Sequence, residues 1–429
     1  MAPGQARGGV IGRLIAYLLP RWRSRPALPR GDGADLLAPA PQMPTDEEGA
    51  RSQALRRAFA PSRPQRGARH FVGRQAELAR ILRAIGDERL HVVLYGERGR
   101  GKTSLINLVA EAGRSDGYIF ARYSCSAESD FDAIMRGLAR DLPASLLAMP
   151  LAAQGEAEGC EAALPAGRLE PRDIALLPRR LNAPHLVLLV DEFDRVVDES
   201  TRTRLADTIK QVSDRAVPLS FLIVGVSENL EHLLGRHPSI QRNVVGVPLP
   251  LMGDEEILGI LDLGARETGL PFGLVARGWI VALARGVPYI AQLLALRTTQ
   301  AAMRRGAAEV SEADLEAAIP AVLAEMEPHL GGEYEALTRG GRDQGMEALL
   351  RAVASGPIDH LGRISAAHHI GGGAALWRRL VEAGALCPCG PAEPDLYTFK
   401  APMLPHYILL RAALATRADG RGFPIRQSA

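Results

Sequence analysis

The nine residues Gly96, Glu97, Arg98, Gly99, Arg100, Gly101, Lys102, Thr103 and Ser104 constrain this chain more than any other stretch. They match G-x-x-x-x-G-K-[ST]. The apolar run Leu90–Tyr95 reads as a strand leading straight into them, and a helical pattern follows. Glycines at 96, 99 and 101 let the backbone curl without Cβ clashes and turn its N–H groups inward, while the following helix adds the positive end of its dipole. Such a cradle binds phosphate. Lys102 is expected to reach the β- and γ-phosphates, and the Thr103 hydroxyl to coordinate Mg2+. The competing reading is a chance match in a chain with 44 glycines, and the flanking strand and helix argue against it.

A second signal follows at Leu186–Val190, an entirely apolar strand that ends in Asp191 and Glu192. Alone, two acids at a strand end say little. After a phosphate loop they read as its partner, with Asp191 a metal ligand and Glu192 polarising the water that attacks the γ-phosphate. Asp194 reads as a solvated or helix-capping residue rather than a third catalytic acid. The next strand, Phe221–Val226, ends in Ser227, Glu228 and Asn229, where Ser227 or Asn229 would hold the lytic water or the γ-phosphate; turn chemistry explains both residues equally well. Arg242 stands before the last core strand, either as an arginine finger to a neighbouring subunit or as a surface residue.

Apolar strand-like runs at Leu90–Tyr95, Tyr118–Cys125, His185–Val190, Ser220–Val226 and Val244–Leu249 alternate with helical patterns, one of them spanning Asp130–Ala148. The implied class is α/β, a parallel sheet core over residues 67–250. Met149–Arg172 reads as a surface loop. After Leu251 the pattern is helical, at Asp254–Arg266, Val275–Arg285, Pro288–Gly306 and Ser311–Glu327, with Ser311 and Asp314 as a start signal, so residues 251–330 form a helical lid. A Gly-rich break at Gly331–Gly345 leads to residues 340–415. There helical patterns at Gly345–Ala354, Gly362–Ile370 and Ala374–Ala383 precede extended pieces at Ala385–Pro388 and Leu396–Lys400, an order that suggests a winged helix; residues 416–429 are a tail.

Residues 26–66, rich in Pro, Ala, Gly and Arg, read as an unstructured leader within residues 1–66. Ahead of them Val10, Ile11, Leu14, Ile15 and Leu18 share one helical face, followed by Arg21, Trp22, Arg23 and Arg25, as in an interfacial membrane anchor. The brevity of the pattern favours a disordered tail with a short sticky helix. No run of eighteen or more apolar residues occurs, and Val10–Leu19 lacks a cleavage site, so neither a spanning helix nor a secretory signal fits.

Charge excludes a chain living mainly on nucleic acid: 51 Lys+Arg stand against 49 Asp+Glu, for a net charge of +2. The four cysteines, Cys125, Cys160, Cys387 and Cys389, fit a reducing cytoplasmic location. Cys387 and Cys389 with His360, His368, His369 and His406 share a C-terminal stretch, but their spacings match no zinc pattern, and core or surface roles are simpler.

The two phosphate-site motifs, together with Phe71, Val72, Gly73 and Arg74 followed by Glu77 and Leu78, resemble the AAA+ ATPases. Within these the chain is similar to the branch shared by STAND signalling ATPases and origin-recognition initiators, over roughly residues 69–415. The resemblance implies a P-loop NTPase core with helical lid and winged helix, ATP and Mg2+ as cofactors, and Phe71, Val72 and Arg74 packing against the adenine. It also implies sensing at Ser227–Asn229. One departure stands out. Where many AAA+ machines carry a lid arginine, this chain has Gly286-Val287-Pro288-Tyr289, which resembles the Gly-x-Pro of STAND proteins and implies Pro288 near the nucleotide and a slow switch rather than a processive motor. Gly286 ending one helix and Pro288 starting the next explains the same residues structurally.

Three functional readings follow. The first is an ATP-driven, ATP-hydrolysing switch whose lid and C-terminal domain follow the nucleotide state. The second is a DNA-binding ATPase of initiator or transposition-helper type, using Trp377, Arg378 and Arg379; a protein partner suits the same module equally well. The third is a membrane-associated scaffold recruited by Val10–Arg25. A GTPase fits poorly, because no Asn-Lys-x-Asp signature follows the loop. An oligomer is compatible with all three.

Overall fold

The computed structural model describes residues 47–61, 71–147, 159–181, 183–227, 230–234, 240–366, 373–390 and 393–418. These fall in two compact units, one of residues 71–97 and 102–249, the other of residues 47–61, 98–101 and 250–418. The expected amphipathic segment Val10–Leu19 lies outside the described residues, as do Asn229, His368 and His369.

The first unit is built on five strands, β1 (His91–Tyr95), β2 (Ile119–Ser124), β3 (Leu186–Asp191), β4 (Leu219–Gly225) and β5 (Val244–Pro248). All are parallel, in the order β2-β3-β4-β1-β5. Both β3 and β4 are buried at every position, which is why they read as unbroken apolar runs instead of alternating ones. Alternation reappears in where the side chains go. Val187 and Leu189 join Val92, Leu94, Leu105 and Val109 in one core, whereas Leu188 and Val190 join Val93, Phe131, Ile134 and Leu138 in the other. Helices cover the two faces: α2 (Gln75–Gly86) and α3 (Lys102–Ser115) belong to the first core, and α4 (Phe131–Asp141), α5 (Pro171–Arg180) and α6 (Glu199–Asp214) to the second.

Two local expectations change. Helix α4 stops at Asp141 rather than Ala148, because Pro143 forces Leu142 into extended backbone at ψ 134°. The stretch read as loop up to Arg172 contains the start of α5, whose first turn has Pro171 at its head and Asp173 accepting from the Glu170 N–H at 2.8 Å.

The second unit holds the helices α8 (Asp254–Thr268), α9 (Leu274–Ala284), α10 (Pro288–Arg304) and α11 (Glu312–Thr338); a short helix α7 (Leu230–Leu234) precedes them in the first unit. Ser311 and Asp314 form the expected start of α11, with the Ser311 N–H donating to Asp314 at 2.8 Å. The helix then runs through Gly331 and Gly332, where a break was expected. Burial of Leu330, Gly331, Tyr334 and Leu337 outweighs the glycine cost, and the turn comes at Arg339, Gly340 and Gly341, all with positive φ. Beyond it lie α12 (Gln344–Ser355), α13 (Gly373–Glu382) and α14 (Leu404–Ala418), with a three-stranded antiparallel sheet of order β6-β8-β7 from β6 (Ile364–Ser365), β7 (Leu386–Pro388) and β8 (Leu396–Phe399). Within the stretch Gly362–Ile370 read as helical, Ile364 and Ser365 form a strand, and residues 367–370 lie outside the described residues. No helix among the described residues is long and apolar enough to cross a membrane.

Within the 26–66 stretch read as unstructured, Glu47–Ala58 is a helix, α1, packed on α8. Its own apolar period is weak, so docking stabilises it: Leu55, Ala58 and Phe59 are buried, Phe59 meets Phe272 edge to face at 6.3 Å, and the Ala60 N–H donates to Gln292 at 3.2 Å. Gly264 on α8 leaves the space for the Phe59 ring, since a Cβ there would come within 2.0 Å of it. Gly264→Ala is expected to displace Phe59, cost about 1–3 kcal/mol and speed tryptic cleavage at Arg56 and Arg57. Unchanged cleavage would show that α1 does not depend on this contact.

Candidate nucleotide and metal site

The loop between β1 and α3 has the backbone its glycines allow. Gly96, Gly99 and Gly101 have φ of 152°, 79° and 89°, a sequence of left-handed positions that side chains would strain. Gly96 is doubly constrained, because a Cβ there would lie 2.8 Å from the Leu249 carbonyl oxygen. Lys102 folds back over the loop, and its Nζ donates to the carbonyls of Gly96 at 2.6 Å and Glu97 at 2.9 Å. Its ammonium thus sits over the cradle it is expected to serve. Thr103 and Ser104, half-buried, open α3 directly after it.

The tip of the loop, Arg98–Gly101, groups with the second unit. A Cβ on Gly101 would stand 3.8 Å from Pro288 Cγ, and one on Gly99 would collide with Met403 at 2.4 Å. Pro288, at the head of α10, thus lies beside Gly101. Arg100 is buried and its Nη2 donates to the Leu361 carbonyl at 2.8 Å. Any nucleotide contact from position 100 therefore falls to its backbone, whereas the Arg98 side chain is exposed.

At the end of β3, Asp191 is buried, with one carboxylate oxygen accepting from the Glu192 N–H at 2.9 Å. The other accepts from Arg122 Nη2 at 2.5 Å. Arg122 lies on β2, and its Nη1 donates to Asn107 Oδ1 at 3.1 Å. Asn107 is one helical turn after Thr103 on α3, so this arginine ties the Thr103 face of the loop helix to the strand-end acid. Nothing in the sequence reading singled out Arg122. The available signal was a cation inside a largely apolar strand of a parallel sheet, where a neighbouring strand-end acid is its natural partner.

Glu192 adopts left-handed backbone at φ 54°, one of six non-glycine residues with positive φ among those described. This points its carboxylate outward, where it is exposed and pairs with Arg195 at 3.0 Å. Asp194 is neither solvated nor a cap: half-buried, it accepts from the Val226 N–H at 2.8 Å and so fastens the end of β4 to the turn after β3. Because β4 lies between β1 and β3, that clamp puts half-buried Ser227 between the loop strand and the acid strand. Arg242 is exposed in the turn before β5. Phe71 packs on the core of α2 and α3 with half-buried Val72 beside it, and Arg74, at φ 62° before α2, is buried and bonded to Glu77 at 3.1 Å. Cys125, whose N–H donates to the Asp191 carbonyl at 2.9 Å, has its thiol pushed up to about 12 by burial and by Asp191, Glu192 and Asp194, so it stays protonated and inert.

Residues 70–224, from the segment before α2 through the end of β4, match the family model of the AAA ATPase domain. This stretch is an AAA ATPase domain. Its sheet sets β4 between β1, which runs into the glycine-rich loop, and β3, which ends in Asp191. No curated protein matches the chain. Among solved structures it is similar to the Thermotoga maritima RuvB Holliday junction branch migration motor (16% identity, TM-score 0.40, covering 84% of this chain and 99% of that one). It is also similar to Aeropyrum pernix ORC2 in ADPNP–ADP complexes (17%, 0.46, 85% and 98%) and to A. pernix ORC1 in complex with DNA (18%, 0.40, 81% and 94%).

The remaining expected contacts lie in the second unit. Trp377 is buried and stacks on Tyr397 at 5.0 Å, and Arg379 pairs with Asp343 at 2.8 Å, whereas Arg378 is exposed on α13. His406 is buried, its Nδ1 bonded to the Leu283 carbonyl at 3.0 Å.

Proposed function

We propose that the chain binds ATP with Mg2+ and hydrolyses it slowly, as a switch of the AAA+/STAND type. The observation that carries this reading is the Arg122 bridge, which links the Thr103-bearing helix to Asp191 and so supports a single site shared by the loop and the acid strand. The donor set fits the metal: a hydroxyl at the head of α3 and a buried carboxylate at the end of β3 suit a hard, oxygen-seeking cation. Thr103 and Asp191 would hold Mg2+, which supplies charge neutralisation between the β- and γ-phosphates. Lys102 leaves its loop carbonyls to meet the phosphates. Glu192 leaves Arg195 to take up a position from which it orients and deprotonates water. Ser227 contributes a hydroxyl at the end of the intervening strand, Asn229 is assigned beside it from sequence, and exposed Arg242 is available to a second copy. Phe71, Val72 and Arg74 flank the adenine side.

Pro288 beside Gly101 supports coupling of loop occupancy to the lid. We assign residues 67–250, 251–330 and 340–415 as core, lid and winged-helix readout. A protein partner suits that readout better than DNA, because Trp377 and Arg379 already serve internal contacts. Single-turnover hydrolysis combined with size measurement in ADP and in ATP tests the switch. One turnover per site with a nucleotide-dependent change in size or shape is expected; equal behaviour in both nucleotides contradicts switching.

A further inference from the structure

We infer that Arg122 is a built-in counter-cation for Asp191, occupying the carboxylate until a divalent metal displaces it, and so sets how much Mg2+ the site needs. The inference rests on the proposed nucleotide and metal site. Its basis is electrostatic. Asp191 has a side chain 6% exposed, and a buried carboxylate requires a compensating charge. Arg122 supplies one at 2.5 Å, while the second arm of its planar fork is fixed on Asn107 at 3.1 Å. The guanidinium is itself 37% exposed, so it has a path to solvent when the contact is broken. Its backbone N–H, bonded to Asp141 at 2.7 Å, keeps β2 in place while the side chain moves. A guanidinium and a divalent cation held at the same small carboxylate repel each other, so metal and guanidinium compete.

This role differs from holding phosphate. A residue that contacts nucleotide weakens nucleotide binding when removed; a competitor of the metal lowers the metal requirement when removed. The test is a Mn2+ titration followed by electron paramagnetic resonance at saturating ADP, on the full chain, for wild type, Arg122→Gln and Arg122→Lys. Breaking one partly exposed pair corresponds to about a fivefold change in affinity, so Arg122→Gln is expected to bind Mn2+ about fivefold more tightly, with Arg122→Lys in between. Because Asp191 then lacks a partner, metal-free Arg122→Gln is expected to melt lower than wild type and to gain more from added Mn2+. Wild-type or weaker Mn2+ binding in Arg122→Gln overturns the inference. If that variant does not fold, Arg122→Lys decides alone, since the shorter ammonium cannot hold Asp191 and Asn107 together and an unchanged midpoint overturns the inference equally. Absence of any Mn2+·ADP binding by wild type instead removes the underlying site assignment.

Discussion

Glu192→Gln is expected to bind ATP as wild type does and to lose hydrolysis by about 100-fold or more. Replacing the carboxylate with an amide keeps the shape but removes the base, and positioned general bases contribute about 10²–10⁴. The left-handed backbone at Glu192, φ 54°, caps the turn after β3 and presents an exposed side chain that pairs with Arg195. Left-handed backbone at a non-glycine residue that presents an exposed carboxylate is a mark of a working position. Rapid-quench hydrolysis alongside a nucleotide-binding isotherm separates the two effects. Loss of binding in this variant would mean that Glu192 supports the loop instead of the chemistry.

Acid should destabilise the first unit through His91 and His185, which lie at the opposite ends of β1 and β3 from the phosphate loop. His91 is buried beneath the sheet, and its Nδ1 must be unprotonated to accept the Phe221 N–H at 3.0 Å; its Nε2 meets Ser213 Oγ at 3.1 Å. Burial, then the neighbouring His185, lowers His91 to about 3, and burial with Arg89 lowers His185 to about 4. Both are neutral in the folded chain and titrate near 6.5 when unfolded. Above that pH neither state carries the proton and stability is unaffected. Below it the unfolded chain binds protons that the folded chain refuses, so stability falls as pH drops from 6.5 towards the folded values. At pH 5 His91 alone corresponds to a loss of about 2 kcal/mol, with His185 adding in the same direction. Urea unfolding from pH 7.5 to 5 should show this decline, and His91→Gln should reduce its slope by about one proton. A flat profile in wild type would contradict the burial of neutral imidazoles.

The sheet was legible because its strands are apolar runs five to seven residues long, set off by turns, and parallel strands covered on both faces must look like that. The phosphate loop was legible because three glycines, Lys102 and Thr103 at fixed spacing leave few alternatives. Helix α5 carried its own signals, Pro171 at its head and Asp173 three residues past Glu170, and was obscured by the Ala- and Gly-rich residues before it. Helix α1 carried almost none. Three apolar residues docked on α8 stabilise it, and docking leaves no trace in a local period. The same holds for Arg122 and Asp194, since each acts across strands: Arg122 reaches Asp191 from β2, and Asp194 reaches the backbone after β4. Charge in an apolar strand marks such residues as paired, but only the register shows with what.

The central claim is that Lys102 and Asp191 serve one nucleotide–metal complex. Calorimetric titration of ATP into wild type and Lys102→Ala, each with Mg2+ and with EDTA, tests it most directly. Wild type should bind ATP with Mg2+ and more weakly in EDTA, while Lys102→Ala should lose about 30-fold or more in affinity, the consequence of deleting one buried charged contact worth about 2 kcal/mol or more. Equal ATP affinity for Lys102→Ala and wild type would contradict the account.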